Sequence, residues 1–333
     1  MNAPLPRGVI EPEAVNAPLL RLRVQAIRLQ AEGIHAFELV DPDGALLPPA
    51  TAGAHVDVHL PGGVVRSYSL SGDPADRTVW TLGVLREVNG RGGSRAMHES
   101  VRVGELLTVG SPRNAFAMVP GATHTVLLAG GIGITPIKAM AHTLTARGES
   151  FELHYCARTA RHVAFTGELR TLVPPGSLHF HFDHGVPGQG LNITDLLQHQ
   201  PDGAHLYYCG PGGFMKACAE ASEHWASGSV HSEHFKPPET APKSTPDASF
   251  EVRLARTGIT VPVLPDQSIV RAIELAGHRV PTSCLSGLCG SCKVDYLEGE
   301  VEHNDYILSD EEKTRCLTLC VSRARSRLLI LDL

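Results

Sequence analysis

Near the C-terminal end the chain reads CLSGLCGSC, residues 284–292: three cysteines at gaps of four and two, in a loop otherwise made of Gly, Ser and Leu. C-x4-C-x2-C followed by a distant fourth cysteine is the spacing of a plant-type [2Fe–2S] site. Two irons held tetrahedrally need four thiolates. Gly287 and Gly290 let the backbone turn tightly around such a group, and neighbouring N–H groups can then point at sulfur. The fourth ligand is expected at Cys320, in LCVSRA, with Cys316 as the nearby competitor. A zinc site would prefer paired C-x2-C knuckles, and the gap of four argues against it.

The other cysteines do not change this reading. Five of the eight crowd the last fifty residues, while Cys156, Cys209 and Cys218 are scattered. The opening MNAPLPRGVIEPEAVNAP has no basic segment followed by an apolar core, so no secretory signal is expected. A reducing, cytoplasmic setting favours metal binding over disulfides. The formal net charge of −6 argues against nucleic acid as a partner. The longest apolar run, TVLLAGGIGITPI, is too short and too Gly-rich to span a membrane.

At 333 residues the chain is too long for one ordinary core. Residues 1–18 are Pro-rich and expected to form a flexible tail. Across 19–120, the runs LRLRVQAIRL, IHAFELV, HVDVHL, VVRSYSL and VWTLGVLREV are punctuated by Gly, Pro and Asp, the pattern of an antiparallel β-barrel. Across 121–235 strand and helix alternate: HTVLLAG, PIKAMAHTLTARG, FELHYCAR, HLYYCG and GFMKACAEASEHW. This is α/β order with a parallel sheet. Residues 236–248, rich in Pro, Ser and Thr, read as a linker. In 249–333, FEVRLART and ITVPVL suggest a hairpin, and SIVRAIELAG spaces apolar residues at helical intervals ahead of the cysteine loop.

Four segments before the linker carry chemistry. RSYSL, residues 66–70, joins an Arg, two hydroxyls and a Tyr, a set able to hold a phosphate and cover a ring. An edge strand of mixed polarity is the plainer alternative. In NGRGGSRAMHES, Gly92 and Gly93 precede a helix starting near Ser94 and make a nest of N–H groups suited to an anion, or simply a Gly-rich turn. LLAGGIGITPIKAM runs from strand through a glycine loop into a helix, with Pro136 in the first turn and Thr135 as cap. CGPGGFM, residues 209–215, is a second strand-to-helix glycine turn. In a parallel sheet both turns lie at the carboxyl edge, where nucleotides bind. LHFHFDHG puts His179 and His181 on one strand face. Two histidines alone make a poor metal site, so a solvated face backed by Phe180 and Phe182 is expected.

CLSGLCGSCKVDYLEGEVEHNDYILSDEEK followed by CVSRARSRLLILDL resembles the C-terminal ferredoxin domain of the phthalate dioxygenase reductase family, and the resemblance runs from about residue 20 to the end. It implies a multidomain α+β chain with an FMN-binding antiparallel β-barrel (19–120), an NAD(H)-binding α/β parallel-sheet domain (121–235) and a β-grasp-like ferredoxin domain (249–333). By resemblance the cluster ligands are Cys284, Cys289, Cys292 and Cys320, and Cys316 is not one. For FMN it implies Arg66, Ser67 and Ser69 on the phosphate and ribityl chain, with Tyr68 beside the isoalloxazine. Gly83, Val84, Leu85, Arg91, Gly92, Gly93 and Ser94 complete that site. Leu85 departs from the family, which often has a basic residue there.

For the nicotinamide nucleotide the resemblance implies Gly130, Gly131, Gly133, Pro136, Arg158, Gly210 and Pro211. Cys209 would approach the nicotinamide, Thr135 would face the flavin–nicotinamide junction, and Phe235, in VHSEHF, would lie on the flavin. YCARTARH offers Arg158 and Arg161 near Thr159, where the family generally has an acid, yet the family preference keeps NADH as the donor. The implied function is transfer of electrons from NADH through FMN and a [2Fe–2S] cluster to a Rieske-type aromatic-ring oxygenase. The acceptor would be phthalate dioxygenase-like or, as an alternative, a demethylating monooxygenase of the vanillate type. A redox sensor without turnover is the reading from another class. A monomer is expected.

Overall fold

The computed structural model describes residues 18–186, 188–237 and 249–333. The expected tail, apart from its last residue, and the expected linker from residue 238 to 248 lie outside the described residues. The chain forms two compact units, Leu19–Phe235 and one that includes Lys236–Leu333.

The first unit begins with strands in which buried apolar residues recur at i and i+2, so each strand offers one face to a core. They are β1 (Leu20–Ala31), β2 (Ile34–Val40), β3 (His55–Leu60), β4 (Val64–Ser69), β5 (Trp80–Leu85) and, after helix α1 (Gly93–Glu99), β6 (Leu106–Val109). Leu22 and Val24, Phe37 and Leu39, Val56 and Val58, Leu82 and Val84, and Leu107 and Val109 meet in one cluster. The sheet order is β4-β3-β6-β1-β2-β5, antiparallel throughout. The antiparallel barrel expected for this segment takes the form of this six-stranded ladder, whose outer strands meet through the bridge Leu70↔Leu82 just past β4.

The rest of this unit is a parallel sheet with helices on both faces. It comprises β7 (His124–Gly130), α2 (Ile134–Arg147), β8 (Phe151–Ala157), α3 (Thr166–Leu172), β9 (Leu178–Phe182), α4 (Ile193–Leu197), β10 (Ala204–Cys209), α5 (Gly212–Ala221) and β11 (Val230–Glu233). Its order is β11-β10-β7-β8-β9. From Val126 onward β7 is apolar without interruption, because both its faces are covered. Leu127 and Ala129 join the core beneath α2 and α3, whereas Val126 and Leu128 join the core beneath α4 and α5. The strand order reverses between β7 and β10, so their carboxyl ends flank the switch-point crevice of a doubly wound sheet.

α5 ends at Ala221, four residues before the expected stop. Ser222 explains the difference: its hydroxyl donates to the Cys218 carbonyl at 2.8 Å and competes with continuation of the helix. Trp225 instead turns inward and donates its indole N–H to Leu197 O at 2.9 Å.

The second unit holds β12 (Phe250–Leu254), β13 (Thr260–Val263), α6 (Ile269–Leu275), β14 (Lys293–Glu298), β15 (Val301–Glu302), α7 (Asp310–Lys313), β16 (Cys316–Thr318), β17 (Arg323–Ala324) and β18 (Leu328–Leu331). β12 and β13 form the expected hairpin, β18 runs parallel to β12 at the sheet centre, and the order is β13-β12-β18-β14-β16. Ile269, Val270, Ala272 and Ile273 of α6 pack on Phe250, Val252, Val261, Val263, Leu329 and Leu331. Ser268 caps α6 by accepting from Arg271 N, and the cysteine loop follows the helix. Among the described residues, no helix is long and apolar enough to cross a membrane.

Candidate functional site

The two glycine turns at the switch point meet backbone to backbone. Gly130 ends β7, and residues Gly131–Gly133 form a single 3-10 turn before α2. A Cβ at Gly133 would lie 2.1 Å from the Cys209 carbonyl oxygen, and one at Gly210 would lie 3.1 Å from Gly130 Cα. A Cβ at Gly130 would lie 2.8 Å from Pro211 Cδ. Gly133 has an ordinary helical φ of −59°, so close approach rather than backbone freedom is what requires glycine there.

Thr135 was expected to cap this helix. The cap position belongs to Gly133, with no side-chain cap bond. Thr135 lies inside the first turn, beside Pro136, and its hydroxyl donates to Ile132 O at 3.0 Å. Its methyl presses on β5 of the antiparallel sheet: a Cβ at Gly83 would meet Thr135 Cγ2 at 2.5 Å and the Phe165 ring at 3.2 Å. Gly83 thus lets the two sheets of this unit come together at the switch point. Lys138, one turn along α2, is 2% exposed. It donates to Ser71 O at 3.0 Å, pairs with Glu168 and lies 4.7 Å from the Phe165 ring centroid. Sequence reasoning passed over this buried cation, whose signal was a charge amid the apolar residues of ITPIKAM.

On the antiparallel side, Arg66 crosses from β4 to the loop before α1 and donates to Arg91 O at 2.8 Å. It packs so tightly on Gly93 that a Cβ there would fall 2.4 Å from Arg66 Cγ. Burial, and then the neighbouring Arg91, lower the Arg66 pKa. Such cations gain from an anionic ligand. Gly92, the cap residue, needs its left-handed φ of 85°. Ser94 is engaged locally, accepting from Glu87 N at 3.0 Å. Tyr68 is half-buried on β4, and burial pushes its phenol up. Gly83, Val84 and Leu85 line the end of β5. The Ser67 hydroxyl donates to Asp57 at 2.8 Å, and Asp57 pairs with Arg113 at 2.6 Å.

Ser69 reaches the parallel sheet. Its hydroxyl lies 3.4 Å from Glu233 Oε2, and Glu233 is the register partner of Cys209 at the end of β10. Burial raises the Glu233 carboxyl to about 8, which the Ser69 hydroxyl opposes. Burial, and then Glu233, push the Cys209 thiol up, and Cys209 is fully buried. Glu233 was also missed from sequence, although it stands two residues before the aromatic singled out in VHSEHF. That aromatic, Phe235, is 39% exposed beyond β11. Arg158 and Arg161 are exposed after β8, where Thr159 Oγ1 bonds His162 Nδ1 at 2.9 Å.

In the second unit the cysteine loop is built to hold sulfur. The N–H groups of Ser286 and Leu288 donate to Cys284 Sγ at 3.4 and 3.3 Å, and Gly287 N donates to Cys320 Sγ at 3.3 Å. Cys320 interacts with both Cys284 and Cys292, and Cys289 with Cys284, so the four thiols form one connected set. Backbone donors aimed at sulfur stabilise negative charge there, which suits an iron–sulfur cluster. Leu285, Gly287 and Gly290 all take left-handed φ, at 52°, 71° and 71°. Cys316 turns away and donates to Glu312 O at 3.2 Å.

Comparison with known proteins gives the same division. Residues 252–325 match the 2Fe-2S iron-sulfur cluster binding domain, and residues 127–220 the oxidoreductase NAD-binding domain. The chain is 49% identical over 323 residues to the tert-butanol monooxygenase / tert-amyl alcohol desaturase reductase subunit of Aquincola tertiaricarbonis, covering 94% of this chain and 96% of that one. It is 44% identical to a vanillate O-demethylase oxidoreductase of Pseudomonas sp. (strain HR199 / DSM 7063), covering 95% of this chain and all of the relative. The solved structure of phthalate dioxygenase reductase superposes with a TM-score of 0.71 at 39% identity, covering 95% of this chain and 98% of the other.

Proposed function

The chain belongs to the phthalate dioxygenase reductase family, and from that premise we propose that it is the NADH-dependent reductase component of an aromatic-ring oxygenase system. Electrons would pass from NADH through FMN and a [2Fe–2S] cluster to a Rieske-type terminal oxygenase of the phthalate dioxygenase kind. One observation carries the reading. Thr135 and Gly83 join the antiparallel sheet to the switch-point turns at the place where Ser69, Glu233 and Cys209 converge. The same chain also supplies a loop of backbone donors around four thiols.

A bound flavin exchanges electrons in pairs with a nicotinamide and singly with an iron–sulfur cluster, which supplies the conversion such a chain needs. The residues account for the rest. Gly130, Gly133 and Gly210 let backbone N–H groups approach a pyrophosphate, with Gly131, Pro136 and Pro211 shaping the two turns. Arg66 and the turn from Arg91 to Ser94 offer charge to a phosphate, Tyr68 offers a ring face, and Phe235 is free to cover a second one. Arg158 stands near the expected ribose position. Ser69 and Glu233 hold a proton at the junction beside Cys209.

We place the cluster on Cys284, Cys289, Cys292 and Cys320, and take the protein to work as a cytoplasmic monomer without nucleic-acid or membrane partners. Identity to the vanillate relative exceeds identity to the phthalate reductase of known structure, which supports a demethylating Rieske monooxygenase as the second candidate acceptor.

Cys289→Ser tests the division of labour. NADH-dependent ferricyanide reduction should persist, while cytochrome c reduction falls by at least about tenfold with loss of the cluster. Loss of both activities, in protein that retains flavin, would overturn the assignment.

A further inference from the structure

The neighbouring strand supplies what His179 and His181 lack on their own. β8 and β9 run parallel with His154 opposite His179 and Cys156 opposite His181, so these side chains share one sheet face with Glu152. It is the face on which Val126 and Leu128 of β7 meet α4 and α5. His154 is 6% exposed. Its Nε2 is buried, has no hydrogen-bond partner among the described residues, and lies 3.4 Å from Glu152 Oε2. Its Nδ1 lies 3.0 Å from His181 Nε2. The His179 ring stacks on His154 with centroids 4.7 Å apart, and one ligand atom from each of Glu152, His154 and His179 falls within 4.8 Å of the others.

We propose that Glu152, His154 and His179 form a binding site for a divalent transition-metal ion of zinc type, separate from the cysteine loop and from the nucleotide turns. A tetrahedral centre with bonds of about 2.0–2.1 Å spaces its ligand atoms about 3.4 Å apart. The Glu152–His154 pair already has that spacing. Bringing His179 into place takes rotation of a partly exposed ring on the sheet's edge strand. Imidazole nitrogens and a carboxylate suit zinc, nickel or copper better than calcium or magnesium, which take oxygen ligands. With Nε2 on the metal, Nδ1–H of His154 donates to His181, the outer contact that orients a ligating histidine. Three protein ligands leave the fourth position to water. The ion ties edge strand β9 to β8 and does not enter the electron path.

The test is calorimetric titration of the holoenzyme with Zn2+ after treatment with a weak chelator that leaves iron and flavin content unchanged. One equivalent should bind with micromolar or tighter affinity. Glu152→Gln and His179→Ala should each weaken binding by about tenfold or more, and His199→Ala, at an exposed histidine outside the cluster, should not. Both test variants alter partly exposed side chains, and retained cluster and flavin absorbance shows that they fold. X-ray absorption at the zinc edge should report a nitrogen and oxygen shell near about 2.0 Å. Equal affinity in wild type and both variants would overturn the site. So would binding only at millimolar zinc, or a sulfur shell near about 2.3 Å, which marks zinc on the cysteines.

Discussion

Glu233 and Lys138 show what single residues contribute where the two sheets of the first unit meet. Both are charged side chains placed where burial is costly, and each has a defined partner: Ser69 for Glu233, and Ser71 with Glu168 for Lys138. Glu233 makes stability depend on pH in a definite direction. Its folded value is raised from 4.5 to about 8, so the folded state holds a proton that the unfolded chain has already lost. Its contribution is present below the ordinary carboxyl value and is lost as pH rises toward 8. In flavin-free protein, the melting temperature of Glu233→Gln minus that of wild type should therefore grow between pH 5 and 8 and level off above. A difference that is flat across this window would show that the carboxyl titrates normally. Glu233 was not legible in advance, because it becomes unusual only when another strand closes over it, whereas Lys138 left one trace, a charge amid the apolar residues of ITPIKAM.

At the scale of elements, the two turns after β7 and β10 were readable as glycine loops, and their shared place at the sheet edge followed from α/β order. Which glycine matters for contact was not readable. Gly133→Ala keeps a permitted backbone conformation but puts a methyl 2.1 Å from the Cys209 carbonyl, forcing the turns apart. Overpacking of this kind costs about 1–3 kcal/mol, so NAD+ binding to the holoenzyme should weaken roughly tenfold in equilibrium titrations. Unchanged affinity would place the pyrophosphate elsewhere. The strands β6, β11 and β14 to β18 were not read from the sequence, and β15 and β17, of two residues each, are too short to show any periodicity. The early end of α5 was likewise hidden, since Ser222 reads as neutral in a helix until its hydroxyl is seen on the Cys218 carbonyl.

At the scale of the whole molecule, the chain divides into two compact units, and among the described residues the core of the cluster-bearing unit packs residues between Phe250 and Leu333. Each unit should therefore unfold as its own cooperative transition. Calorimetry of the full chain should show that removing iron lowers the transition of the second unit by on the order of 10 °C or more, because metal binding is linked to folding. The transition of the first unit should hold, and movement of both together would show a single cooperative body. The amino-acid sequence by itself determined the ferredoxin-type cysteine spacing, the order of antiparallel and parallel sheets, and the family, because these depend on residue type at short, fixed intervals. Only the tertiary structure decided that the outer strands of the first sheet meet at Leu70 and Leu82, that Ser67 bonds Asp57, that Glu233 stands between Ser69 and Cys209, and that Glu152 and His154 share the face of His179 and His181. Each of these depends on which distant strands become neighbours, and chain spacing carries no record of that.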